Sequence, residues 1–429
     1  MYHPVNLIEV RAWNKTVGAI SLDSGAGFYV FEYAPSWQTG GIELAPLTMP
    51  VQESVHIFPL LPEPTFRRLP AMIADAIPDD FGNALIDAYL AKAGVAKEAI
   101  TPLDRLAYMG KRGMGALEFR PVRGPRHTNT TAVEISKLVI SSRKALAGTI
   151  DGDRETQAAI MNLIQVGTSA GGARAKAVIA WNPDTNEIRS GQLPADPGFE
   201  HWLLKLDGVE DGHDLSTGKG YGRIEYAYYL MARAAGISIS ESRLLEENDR
   251  AHFMTRRFDR VDGTKLHIQT LCAMQHLDYR QHATHDYSQY FQTITALNLP
   301  LHELAEAYRC MVFNILAANC DDHTKNHSFL MDQTGEWHLA PAYDVTHSFN
   351  PNGEWTYQHL MSVNGKFRNI NRSDFHAVGD RFLVPDYKGI IRNVSAALKR
   401  WPEFADAAGL ATRDAEQIQG DLRVDGRMS

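Results

Sequence analysis

The sequence predicts an α+β protein of more than one packed unit, in which a β-rich lobe is followed by a largely helical one. Three observations predict it. A chain of 429 residues exceeds what one hydrophobic core usually organises. Short runs rich in β-branched and aromatic residues fill the opening and return between residues 176 and 258. Beyond Leu271 the apolar residues recur at helical spacing, and helices predominate.

The opening runs "NLIEVRAW", "VGAISL" and "GFYVFEYA", punctuated by "NK" and "DSGAG", read as a small antiparallel meander. From Phe66 to Val95 the pattern turns helical, with Phe81, Leu85, Ile86, Tyr89 and Leu90 three and four apart and Asp79 and Asp80 placed to cap the start. "MGKRGMGALEFRP" reads as a Gly-rich loop leading into a strand, and "VRGPRHTNTT" as a linker. "TAVE" at residues 131–134 fits a capping box and opens a new domain. The predicted organisation is therefore residues 1–125, 131–260 and 261–429. Within the second segment we expect a helix to about residue 147, a helix "TQAAIMNLIQ", strands "KAVIAW", "EIRS" and "HWLLKL", a helix "RIEYAYYLMARAAG" and a strand "HFMTRRF". The third contains "YSQYFQTITALNL" and "LHELAEAYRCMVFNILAAN" as helices, and its last dozen residues are expected to fray.

Composition narrows the function classes. Apolar residues at 44% and charged ones at 22% are ordinary for a globular protein, so disorder is not the default. The formal charge of −8 would repel a nucleic-acid backbone, so contact with DNA would need a local basic patch or a partner. Cys272, Cys310 and Cys320 are odd in number and lack CxxC spacing, which suits a reducing compartment. With no secretory-type N-terminus and no apolar stretch of about 18 residues, a cytoplasmic protein without a membrane partner is expected.

Three stretches can carry chemistry. "GTSAGGARAK", residues 167–176, lies between an apolar helix and an apolar strand; its glycines let backbone amides approach phosphate oxygens, and Arg174 and Lys176 add positive charge. It matches neither GxxxxGK[ST] nor GxGxxG, and an ordinary Gly-rich turn is the competing reading. Lys205 stands in the apolar strand "HWLLKLD", and Glu225 opens a helix twenty residues on. A strand lysine with a helix glutamate positions nucleotide phosphates in kinase-type sites, although a lysine can also snorkel at an edge and helices commonly begin with Glu.

The third stretch, "NCDDHTKNHSFLMDQTGEWHLAPAYDV", is the densest. Asp321 and Asn326 are five apart, as are the base aspartate and metal-binding asparagine of a kinase catalytic loop. Asp344 follows two short strands and the turn "DQTGE", where a second metal-binding residue would stand. A carboxylate can receive a hydroxyl proton, and oxygen ligands suit hard Mg²⁺. A transition-metal site built on His323, His327 and Asp322 competes, although the HExxH glutamate is absent and Lys325 sits among the ligands. A solvated loop is the remaining alternative.

In this order the pieces resemble the HipA family, serine/threonine-kinase toxins of bacterial type II toxin-antitoxin modules. The resemblance rests on "GTSAGGARAK", "HWLLKLD", "IEYAYYLMARAAGI", "RRFDR", "NCDDHTKNHSFL" and "LAPAYDV", and the opening and "IPDDFGNALI" resemble the family's N-terminal subdomain. It implies a HipA-like, protein-kinase-like bilobal fold with an N-terminal β-rich subdomain. It also implies ATP and Mg²⁺ as cofactors. By this resemblance Gly171, Gly172, Ala173 and Lys176 would belong to the nucleotide loop, Lys205 would hold phosphates, Glu225 would orient Lys205, and Phe258 would lie near adenine. Asp321 would be the base, Asn326 and Asp344 would bind Mg²⁺, and His323 would shape the loop. Ser169, with Thr168 beside it, matches the family's self-phosphorylated serine, whose added charge would expel a loop built around phosphates. A HipB-like helix-turn-helix antitoxin, a protein substrate such as an aminoacyl-tRNA synthetase, and operator DNA reached only through the antitoxin are the implied partners. Two departures stand out. Gln269, Thr270 and Leu271 precede Cys272 where many members carry a QED-type segment, and Arg256 replaces a common Glu. A nucleotide-binding corepressor scaffold and a small-molecule kinase are the alternative functions.

Overall fold

The structure, a computed structural model, describes residues 2–78, 80–124, 138, 139, 142, 175–192, 195–209 and 220–424. Asp79, the capping box at 131–134, the helix "TQAAIMNLIQ", most of the preceding one and the Gly-rich loop from 167 to 174, with Thr168, Ser169, Gly171, Gly172 and Ala173, lie outside the described residues. The chain divides into two compact units: Met1–Gly222 with Arg243–Ile268 and Met331–Gly335, and Arg223–Ser242 with Gln269–Leu330 and Glu336–Ser429.

The first unit opens with the expected meander. Strands β1 (Leu7–Ala12), β2 (Lys15–Asp23) and β3 (Phe28–Tyr33) pair antiparallel, and β4 (Glu118–Arg120) adds to β1, giving the order β3-β2-β1-β4. Alternation sets the inner face: Ile8, Val10 and Ala12 are fully buried while the residues between them are not. Trp13 and Asn14, both at positive φ, make the tight turn between β1 and β2. The helical segment expected from Phe66 to Val95 is a single turn, Ala71–Ala74, followed by a helix, Asp80–Ala91, that starts where Asp80 was expected to cap it; Pro70 and Pro78 break the pattern before it. Helix Pro102–Met109 begins with a capping box of Thr101 and Asp104 and leads to β4.

A second antiparallel sheet has the order β6-β5-β7-β9-β8, from β5 (Lys176–Trp181), β6 (Ile188–Ser190), β7 (Glu200–Lys205), β8 (Ser242–Glu247) and β9 (Arg250–Arg256). One face is core, formed by Ala177, Ile179, Trp202, Leu204 and Met254. Strand β8, "SRLLEE", was not among the expected elements. It is an edge strand whose charged residues hide any apolar alternation, and its signal was the turn Asn248–Asp249, both at positive φ, before β9.

"RRFDR" ties this sheet to the Gly-rich turn near residue 113. The Asp259 carboxylate is fully buried and accepts from Arg257 Nε (2.9 Å) and Nη2 (2.8 Å), Arg260 Nη1 (2.7 Å) and the Gly115 amide (2.7 Å). Both arginines continue to the Gly113 carbonyl. Burial opposes the charged form of Asp259, but the two guanidiniums hold its carboxyl well below the usual range.

The second unit is mainly helical, as expected. Helix Leu301–Leu316 is its axis, and Tyr228, on helix Tyr221–Ala234, is buried against Phe313 and Trp401 with its hydroxyl donating to the Ala317 carbonyl (2.6 Å). Helices Arg372–Arg381, Tyr387–Leu398, Trp401–Ala407 and Thr412–Asp421 follow. The expected fraying of the last dozen residues is corrected in part: Ile418 and Leu422 are buried, Asp421 meets His347 at 3.0 Å, and the Arg423 amide donates to the Leu316 carbonyl. Two apolar anchors four residues apart outweigh the polar composition.

Candidate active site

The helix Leu301–Leu316 ends at Ala317, Ala318 takes a left-handed φ of 53°, and the chain turns into the loop carrying Asn319 to His327. Strands Ser328–Met331 and Trp337–Leu339 follow and return the chain to Asp344, as the "DQTGE" turn requires. Glu303 on the helix fixes this return, accepting from the Leu339 amide at 2.7 Å.

The two adjacent aspartates have opposite environments. Asp321 is half exposed, and its backbone is held at both ends: its amide donates to Ser348 Oγ (2.9 Å) and its carbonyl accepts from Asn326 Nδ2 (2.8 Å). Asp322 is buried, and its carboxylate accepts from Tyr287 Oη (2.9 Å), His359 Nδ1 (3.1 Å), and the amides of Leu360 (2.8 Å) and Met361 (3.5 Å). Asp321 keeps a half-exposed side chain, while Asp322 is the buried anchor of the loop. His323 Nε2 lies 3.8 Å from Asp321 Oδ1 with its ring against Tyr279.

Asn326 and Asp344 line one pocket, together with Asn319, Tyr290, Cys310 and Tyr343. The Asn326 amide nitrogen is committed to the Asp321 carbonyl, which leaves its oxygen as the end for a ligand. Asp344 adopts a left-handed φ of 51°. An amide oxygen and a carboxylate lining one pocket form a hard donor set, which fits Mg²⁺. The alternative built on His323, His327 and Asp322 does not fit: the Asp322 oxygens are occupied by four protein donors. His327 is buried between Tyr287 and Tyr290, and burial pushes its imidazole down to about 4. Among the described residues no cluster of three or more His, Cys, Asp or Glu side chains is placed to hold a metal.

His359 had no place in the sequence reading, since it lies fifteen residues past Asp344 in no motif. Its Nδ1 faces Asp322 and its Nε2 faces Cys320 Sγ at 3.7 Å. Burial alone would lower its pKa, but the Asp322 carboxylate and Cys320 raise it, to about 9. A histidine raised above its unfolded value of about 6.5 contributes stability that is fully present below that pH and lost as pH rises through 9. Denaturant titrations should therefore show wild type losing about 3 kcal/mol more than His359→Gln between pH 6 and pH 10. Parallel pH curves for the two proteins would refute the charged pair.

In the first unit, β5 and β7 pair so that Lys176 and Lys205 are direct partners, and Lys205 is also opposite Phe253 on β9, its Nζ 5.7 Å from that ring. Both lysines stand on the face away from Trp202 and Leu204. Lys176 is buried. Phe258 is half-buried beside the Asp259 clamp. In the second unit, Glu225 is buried on helix Tyr221–Ala234.

This fold and this loop together define the class. A family model described as the HipA N-terminal domain matches residues 8–120, and one described as the HipA-like C-terminal domain matches residues 168–425. The chain belongs to the HipA family. HipA of Shewanella oneidensis MR-1, solved as a toxin-antitoxin complex with HipB and its operator DNA, superposes with a TM-score of 0.67 at 17% identity, covering 97% of this chain and 95% of that one. The fold is thus HipA-like and α+β. The Helicobacter pylori proinflammatory kinase CtkA aligns with a TM-score of 0.34 at 13% identity over 53% of this chain and 90% of its own. No curated protein sequence matches. Among the described residues no helix is long and apolar enough to cross a membrane.

Proposed function

We propose that the protein is a HipA-type toxin with Mg·ATP-dependent serine/threonine protein kinase activity. The observation that carries this reading is the loop in which Asp321 is exposed but backbone-fixed beside a pocket lined by both Asn326 and Asp344. Asp321 takes the proton of the acceptor hydroxyl, and Asn326 and Asp344 supply oxygens to the metal. Mg²⁺, when bound, neutralises phosphate charge. Lys176 and Lys205, direct partners across β5 and β7, bring two positive charges together where an anionic phosphate could be held. Lys205, Glu225, Phe258, His323 and the Gly-rich loop residues take the roles the family resemblance gives them.

The proposed acceptor is a protein, an aminoacyl-tRNA synthetase by family resemblance. The proposed restraint is a HipB-like antitoxin that supplies the DNA-binding charge, consistent with the net charge of −8 here. Intact-mass spectrometry before and after addition of Mg·ATP tests the activity. One phosphoryl group gained at Ser169 or Thr168, and none in Asp321→Asn, is the expected result. A protein that binds ATP, starts unmodified, and transfers phosphate neither to itself nor to any protein of a lysate would overturn it.

A further inference from the structure

The Asp321 amide donates to Ser348 Oγ at 2.9 Å, and that hydroxyl donates to Asn319 Oδ1 at 3.1 Å. Asn319 Nδ2 donates to Asn314 Oδ1 at 3.0 Å, Asn314 Nδ2 to Tyr287 Oη at 3.1 Å, and Tyr287 Oη to Asp322 Oδ2 at 2.9 Å. The path leaves one residue and returns to the next. We propose that Ser348, Asn319, Asn314 and Tyr287 are positioning residues for Asp321, acting through this closed one-way ring of hydrogen bonds. The proposal rests on the reading of Asp321 as the base.

Chemistry at the two ends fixes the direction of the ring. A backbone N–H can only donate and a carboxylate can only accept, so the Tyr287 hydroxyl must give its proton to Asp322. Asn314 must then offer its nitrogen to Tyr287 and its oxygen to Asn319, and the same orientation passes to Asn319 and Ser348. A flipped amide anywhere would set donor against donor or acceptor against acceptor. Asn314, Asn319, Tyr287 and Asp322 are all buried, where such a mismatch is costly. Aligned donors also polarise one another, so the ring is stiffer than its separate bonds.

The ring collects distant segments at one point: helix Leu301–Leu316 through Asn314, the start of helix Tyr287–Ala296 through Tyr287, and the segment after Asp344 through Ser348. His359 and the Leu360 amide hold Asp322 from the other side. None of the four proposed positioning residues touches the Asp321 carboxylate in the ring; they fix the backbone on which it is carried. Asn314 and Asn319 also line the pocket of Asn326 and Asp344, so one framework sets both the base and the metal ligands.

Ser348→Ala opens the ring at its half-exposed member, and Ser348→Thr retains the hydroxyl. The expected result for Ser348→Ala is a kcat lowered roughly ten- to hundredfold with the KM for ATP changed less than about twofold. Amide exchange at Asp321 should accelerate, and Ser348→Thr should recover most of both. A kcat equal to wild type in Ser348→Ala, or equal losses in both variants that follow their melting temperatures, would overturn the proposal. If wild type transfers no phosphate, the kinase reading fails by itself, and Asp321 amide exchange then decides the ring: faster in Ser348→Ala supports it, unchanged refutes it.

Discussion

Asp321→Asn is expected to lower phosphoryl transfer by roughly 10²- to 10⁴-fold while leaving Mg·ATP affinity within about twofold of wild type. The separation follows from how the residue is held. Ser348 and Asn326 both bind its backbone, and the side chain is half exposed, so an isosteric amide keeps the loop in place and removes the proposed proton acceptor. Asn326→Ala and Asp344→Asn should behave differently, raising the Mg²⁺ concentration needed for half-maximal rate, because these residues line the pocket. Single-turnover rates with isothermal titration of Mg·ATP check both. Full transfer by Asp321→Asn would remove the base assignment.

The largest stability loss is expected for Asp259→Ala, about 3–5 kcal/mol. The carboxylate faces Arg257, 2% exposed, and Arg260, 11% exposed, so its removal leaves two guanidiniums and the Gly115 amide without their common acceptor. Asp259→Asn should cost less, since one oxygen remains. The acid side supplies a second readout. Because the folded carboxyl is held below its unfolded value, its contribution is complete above about pH 4 and falls away as pH drops through the folded value. Urea denaturation midpoints at pH 7 for the three proteins decide it. An alanine variant as stable as wild type would show that the clamp contributes nothing net.

Much of the architecture was legible because it depends on local period and spacing. Short β-branched and apolar runs such as "LIEVRA" and "KAVIAW" marked strands, and five-residue spacing singled out Asp321 and Asn326. What was not legible depends on contacts far apart in sequence. Asp259 was given no role of its own within "RRFDR", and its amide partner Gly115 is 144 residues away. Asp321 and Asp322 are chemically identical neighbours, and only the tertiary position of Tyr287 and His359 makes one of them an anchor. Asn319 opens the loop "NCDDHTKNHSFL" but was given no role in it, and Ser348 and Asn314 lie outside that loop. Strand β8 was missed because an edge strand needs only its hydrogen bonds, not an apolar face.

The place of β7, third of five strands, makes the direction of Lys205 a question of parity. Bonded to β5 along one edge and β9 along the other, the strand cannot slide without breaking both ladders. A single residue inserted between Trp202 and Lys205 would send the lysine into the tryptophan core; two would restore its side but shift it by about 7 Å along the sheet. Strands β6 and β8, at the edges of this sheet among the described residues, escape this arithmetic. Changes in chain length can therefore accumulate at the margins of this sheet, while its middle admits almost none.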